Sequence, residues 1–120
     1  MTKEEKELLT KCLCDQYPYG VQVEIEGYYS GILRGIYGDT VSTDRGNNYP
    51  LRLVKPYLRP MSSITEGERK ERYKFSAFNN IEFFDWINAH HFDSRGLIEM
   101  GLAIAAVGNN NPYKEKGSVE

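Results

Sequence analysis

Residues 21–54, VQVEIEGYYSGILRGIYGDTVSTDRGNNYPLRLV, decide the fold. Val21, Val23 and Ile25 alternate with Gln22, Glu24 and Glu26, the period of a strand with one buried face. Gly27 breaks that run. A second strand over Tyr28–Tyr37 carries Ile32 and Leu33 at its middle, with Gly31 and Gly35 where a strand bulges or bends. Gly38-Asp39 makes a turn, Thr40–Thr43 a short third strand, and Asp44–Asn48 a loop before a fourth strand over Tyr49–Val54. Short strands, tight turns and bend glycines predict a small curled antiparallel sheet or SH3-like barrel of four to five strands.

Upstream of the sheet, Leu8, Leu9, Cys12 and Leu13 recur at helical spacing, and Thr2 with Glu5 forms a capping box, so Thr2–Cys14 reads as a helix. Glu4 and Glu5 then suit the positive end of the helix dipole. Pro18 and Gly20 stop it. Downstream, Lys55-Pro56-Tyr57-Leu58-Arg59-Pro60 reads as a segment leaving the sheet, because proline has no amide to donate. Thr65 and Glu68 form a second capping box for a charged helix over Glu66–Phe75, followed by a loop over Ser76–Asn80. Ile81–His91 is the strongest helix pattern: Phe83, Phe84, Ile87 and His91 share a face, with Trp86 and His90 four apart on its flank. Asp93 or Ser94 caps a last short helix through Leu97, Ile98 and Met100, ended by Gly101 in a left-handed cap. Residues 102–107 are a final strand or packed arm. The prediction is one α+β domain over 1–107, with an N-terminal helix, the small sheet and C-terminal helices, and a flexible tail over 108–120.

One domain suits the length: 120 residues bury roughly two thirds of their unfolded surface, enough for a single core. No apolar run approaches the ~20 residues of a membrane span, and the N-terminus lacks the order of a secretory signal, so the expectation is a cytoplasmic protein without membrane contact. Cys12 and Cys14 make a CxC pair that neither completes a zinc site nor has redox spacing, and reads as two reduced thiols. Net charge is −2, but residues 28–75 carry nine basic against five acidic side chains, the one positive segment. That excess is too small to signal a nucleic-acid protein by itself.

Three constellations bear on chemistry. His90 and His91, with Asp93 and Glu82, Asp85 or Glu99 in reach, suggest a metal-dependent enzyme. Adjacent helical histidines point about 100° apart, however, so they chelate one ion poorly, and a histidine near a helix C-terminus beside Trp86 serves packing equally well. A histidine with Asp93, Asp85 or Ser94 is the second constellation, for nucleophilic or acid-base catalysis, but nothing resembles a nucleophile elbow or a phosphate loop, and no catalytic residue, cofactor or metal ligand is assigned. The sheet is more informative: Tyr28, Tyr37 and Tyr57 lie among Arg34, Arg52, Lys55 and Arg59, the stacking rings and guanidiniums that bind nucleotides or single-stranded nucleic acid. His90 and Arg95 would be added from the C-terminal helices. The plainer reading, tyrosine as strand former and arginine as solvated surface, weighs against it. Arg95, misplaced at a helix start, is expected to pair with Asp93 or Asp85.

Two stretches, KPYLRPMSS at 55–63 and DWINAHHFDSRGLIEMGLA at 85–103, resemble a group of small uncharacterised proteins of Bacteroidales gut bacteria and their phages and prophages. The sheet region resembles them only in general pattern. That resemblance implies a small phage or prophage accessory, with an anti-defence role among the possibilities, that binds a host protein, a nucleic acid or a signalling nucleotide. The expected function is therefore a non-enzymatic binding protein. The alternative is sequestration of a nucleotide or single strand on the basic tyrosine-rich face, and an enzyme at the histidines comes third.

Overall fold

A computed structural model describes residues 2–72 and 80–113. Helix α1 (Lys3–Gln16) begins with the expected capping box: Thr2 Oγ1 accepts from the Glu5 amide at 3.1 Å, and Glu5 Oε1 accepts from the Thr2 amide at 2.7 Å. It packs Leu9, Cys12 and Leu13 onto the sheet. The same stripe continues to Gln16, and the helix runs past the expected end at Cys14 to a buried amide that is hydrogen-bonded through both its nitrogen and its oxygen. Five strands follow: β1 (Gln22–Ile25), β2 (Tyr29–Tyr37), β3 (Thr40–Thr43), β4 (Gly46–Pro50) and β5 (Val54–Leu58). Then come α2 (Glu66–Arg72), α3 (Asn80–Ala89) and β6 (Ile104–Ala105). The α+β class stands. The predicted continuation of α2 over 73–75, the loop over 76–79 and the tail over 114–120 lie outside the described residues.

The sheet is open and mixed, in the order β4-β3-β2-β1-β5-β6. Among the described residues it has six strands where four to five were expected, and it does not close into the barrel alternative, since β4 and β6 are separate edges. All pairs are antiparallel except β5 with β6, which are parallel. Val21, Val23, Ile25, Leu33, Val41, Val54 and Leu58 face α1 and the returning Leu97, Leu102 and Ala103 in one core. Trp86, Ile87 and Phe92 make a second, smaller cluster with Met61, Ile64 and Phe83 beside it.

The largest correction concerns residues 49–60. The expected fourth strand, Tyr49–Val54, is cut by a 3₁₀ turn over Leu51–Leu53, and the proline segment thought to leave the sheet is β5, paired on both sides. Pro56 is tolerated there for a geometric reason. The Glu26 amide donates to the Leu53 carbonyl at 2.8 Å, so by antiparallel alternation Val23 and Pro56 form a pair without ladder bonds and the proline nitrogen points away from β1. On the other side β6 joins only from Tyr57 onward, and no donor is missed.

The C-terminal third also differs from expectation. Helix α3 ends in a Schellman motif: the His91 amide donates to Asn88 and the Phe92 amide to Ile87, each at 3.1 Å, with His91 left-handed at φ 61°. The following segment then takes the place beside β5 where β1 has ended, bridging Phe92 to Arg59 through bonds of 2.7 and 2.8 Å. The expected short helix near Leu97 is only a turn. Both oxygens of the Asp93 carboxylate accept from the Leu97 and Ile98 amides, at 2.9 and 3.0 Å, and Gly101 closes the turn at φ 77°. On α3 the apolar face is Phe83, Trp86 and Ile87, while Phe84, expected inside, is exposed.

Ordered packing runs past the boundary expected at 107. The Tyr113 ring stacks on His91 with centroids 3.8 Å apart, and its hydroxyl accepts from the Gln22 amide at 2.9 Å and donates to the Tyr57 carbonyl at 2.7 Å. These two groups are the next hydrogen-bonding pair of the β1–β5 ladder, so a phenol completes a ladder whose strands have begun to part. Burial pushes that phenol's pKa up, keeping it a donor. Replacing Tyr113 with Phe leaves one amide and one carbonyl unpaired at a closed joint, and urea unfolding of Y113F is expected to show a loss of about 1–3 kcal/mol.

Candidate functional site

The two histidines, read together as a possible metal pair, are parted by the fold. His91 is buried. Gln16 donates its side-chain amide to the Phe92 carbonyl at 3.2 Å, which leaves Oε1 to accept from His91 Nδ1 at 3.1 Å. The ring is thus held neutral with its proton on Nδ1, and burial, with the His90 and Arg59 charges adding, lowers its pKa to about 4. His90 faces the other way, its ring 4.6 Å from that of Trp86 as the spacing of four predicts, with Nδ1 3.1 Å from Glu68 Oε2.

Glu68 is the hub of that side. Its carboxylate takes both guanidinium nitrogens of Arg59 at 2.6 Å, the Thr65 amide at 2.9 Å and His90. The Arg59 bonds hold its pKa down to about 2 against partial burial. Arg59 also lies 4.3 Å over the Phe92 ring. A carboxylate-oriented imidazole is half of an acid-base apparatus. Among the described residues no hydroxyl or thiol is hydrogen-bonded to that ring, and no three His, Cys, Asp or Glu side chains are grouped for a metal. The cluster ties α2 and α3 to the end of β5.

The remaining candidates disperse. Tyr28 sits in the β1–β2 turn against Tyr49, 5.7 Å between centroids. Arg52 is exposed beside the Lys6–Asp39 pair. Lys55 and Tyr57 lie on the sheet face away from α1, where Tyr57 Oη meets Ser30 Oγ at 3.1 Å. Arg95 pairs with Asp15 at the end of α1 and not with Asp93 or Asp85 as expected, because the turn brings it across to α1 and Asp93 is spent on backbone amides. The nine residues therefore do not form one face.

Two of them, Arg34 and Tyr37, do meet. Opposite β3, Leu33 pairs with Thr43 and Gly35 with Ser42, so Arg34 is the extra residue of a β-bulge, a device that re-aims a side chain. Gly35 matters for a different reason: a Cβ there would stand 2.8 Å from the Tyr37 hydroxyl oxygen and 2.9 Å from Cε2, so the glycine is the seat on which the Tyr37 ring lies. With Ile36 and with Cys14 and Tyr17 from the end of α1, they line a cleft of about 330 Å³. Tyr37 is 65% exposed and Tyr17 44%. Sequence reasoning missed Tyr17 and Cys14; the available signal was a Tyr-Pro-Tyr-Gly stop that places large rings in a solvent-facing turn. Cys14 is exposed, whereas burial pushes the Cys12 thiol up to about 12 and leaves it inert. Among the described residues no acidic side chain lines this cleft and Arg34 makes no ion pair, while Arg59 and Arg95 do.

Comparison with protein-family models, with curated proteins and with solved structures finds no match for this chain. The chemistry is then judged on the side chains alone: rings that stack, one unpaired guanidinium and an accessible thiol suit holding a ligand.

The two ion pairs are expected to differ sharply in strength. Glu68 is 13% exposed and four donors converge on it, so E68A should cost about 2–4 kcal/mol in chemical unfolding, whereas D15A, at the half-exposed Arg95 pair, should cost under about 1 kcal/mol. The Glu68 contribution is complete above pH 4.5 and is lost as pH falls through about 2. His91 acts in a higher window. The unfolded chain takes up a proton near pH 6.5 and the folded ring only near 4, so stability should fall as pH drops from 6.5 to 4, by up to about 1.4 kcal/mol per pH unit. H91N, which tolerates the left-handed backbone but does not titrate, should flatten that slope in denaturant melts taken across the window.

Proposed function

We propose that this chain is a non-enzymatic binding protein whose contact surface is the cleft between Tyr17 and Tyr37. The observation that carries the reading is Arg34: a bulge turns it out of the sheet, no acidic partner among the described residues neutralises it, and two exposed tyrosine rings flank it. An arginine and aromatic rings in that state are the residue types that dominate binding energetics, because they desolvate large areas while keeping directional polar groups. The histidines add to the reading by what they are engaged in, one in the Gln16 joint and one on Trp86 and Glu68. The resemblance to phage-carried Bacteroidales proteins supplies a setting in which the ligand is a component of the host cell.

Native mass spectrometry of the protein purified from its natural cell tests this. The expected spectrum carries added mass that R34A and Y37A both remove while their thermal midpoints stay at the wild-type value. Retention of the added mass by both variants overturns the assignment of the cleft. Turnover of a hydrolase substrate that H90A abolishes would replace the binding reading with an enzyme at the Glu68–His90 pair.

A further inference from the structure

We infer that the cleft takes a single nucleotide unit, a planar base carrying a phosphate, with the base stacked against Tyr37 and the phosphate on Arg34; this rests on the cleft being the binding surface. The ligand class follows from the lining. The phenol end of Tyr37 lies close over Gly35, so the ring rests against the strand, and a ring restrained in this way offers a base a firmer stacking partner than a freely rotating surface tyrosine. Tyr17 borders the same space from the end of α1. The polar requirement of the ligand is equally constrained: among the described residues the cleft is lined by one guanidinium and no carboxylate, so an anion is favoured and a cation is not.

Size and charge narrow it further. A volume of about 330 Å³ lies at the small end of ligand pockets, which suits one base and its phosphate. The chain carries a net charge of −2, and residues 1–27, which contribute Cys14 and Tyr17, hold six acidic against three basic side chains. A long polyanion tracking over the surface is disfavoured by that charge; a single phosphate at Arg34 is not. Its contribution should give a shallow salt dependence, with a log–log slope near −0.7 for one phosphate contact.

Isotope-edited NMR titration of the full chain at low salt decides it, with ribonucleoside monophosphates, the matching nucleosides, inorganic phosphate and a short single-stranded oligonucleotide as probes. The expected result is amide shifts confined to Tyr17, Gly35, Ile36 and Tyr37, stronger binding of monophosphate than of nucleoside or phosphate alone, and about tenfold weakening by R34Q and by Y37L. G35A is the sharper variant. Its backbone φ is ordinary and the atoms a methyl would displace belong to the exposed Tyr37 ring, so the protein should fold unchanged while the platform tips and affinity drops. Saturation by monophosphates assigns a free nucleotide, and response to the oligonucleotide alone assigns the same unit within a single strand. No shifts with any of these probes, or shifts indifferent to R34Q and G35A, overturns the inference. If the mass bound in the native protein still disappears in R34A and Y37A, the cleft keeps its binding role and only the nucleotide is excluded.

Discussion

The side-chain amide of Gln16 is the constraint on which the two halves of the molecule depend. It is buried at the end of the α1 apolar stripe, where an unpaired amide would cost about 1–3 kcal/mol, and its nitrogen and oxygen are each bonded to one short segment, the Phe92 carbonyl and the His91 ring. That segment can reach Gln16 only because His91 takes the left-handed conformation that reverses the chain after α3. The reversal in turn lays Phe92 beside Arg59 and delivers the chain to Asp93, the Gly101 turn and β6. A left-handed histidine costs about 1 kcal/mol relative to glycine; here the hydrogen bond to Gln16 and the stack on Tyr113 offset it.

The same economy governs the sheet. A proline inside a strand with two neighbours is admissible only where its nitrogen faces neither ladder, and Pro56 occupies that one alternation. Beyond it the β1 and β5 backbones separate, and the Tyr113 hydroxyl closes the gap from a residue 91 positions away in the chain from Gln22. On the opposite flank Glu68 does comparable work for charge, gathering Arg59, His90 and its own helix cap onto one carboxylate. Residues with functional-looking chemistry, the histidines and Arg59 above all, are engaged in these joints. Among the described residues the Arg34 bulge makes no ion pair, and the Tyr17 and Tyr37 rings beside it stay exposed.

Much of the architecture was legible in local pattern. The period of two over Val21–Ile25, the glycine turns, both capping boxes and the Trp86–His90 spacing all describe interactions within a few residues, and each is present. Half of the site was legible as well, since Arg34 and Tyr37 lie in one strand around the bend glycine Gly35. Tyr17 was not, because its approach to that strand depends on the length of α1, and that length depends on what Gln16 contacts. The nine-residue face failed for a related reason: alternation along strands says which side a residue takes, but not which cations will find acids elsewhere, as Arg59 did in Glu68 and Arg95 in Asp15.

The sequence by itself determined the class of fold, the helix starts, the strand-rich centre and the residue types that could bind. These are consequences of backbone propensity and hydrophobic period, which act over one or two turns of chain. Only the tertiary structure decided that the sheet is open and six-stranded, that the proline segment is its fifth strand, that the histidines part company and that the chain beyond residue 107 seals a joint. Each of those turns on pairing a polar group with a partner well outside its own local segment, 75 positions away for His91 with Gln16 and 91 for Tyr113 with Gln22. Such pairing is enforced by the cost of leaving polar groups unsatisfied and leaves no periodic trace in sequence.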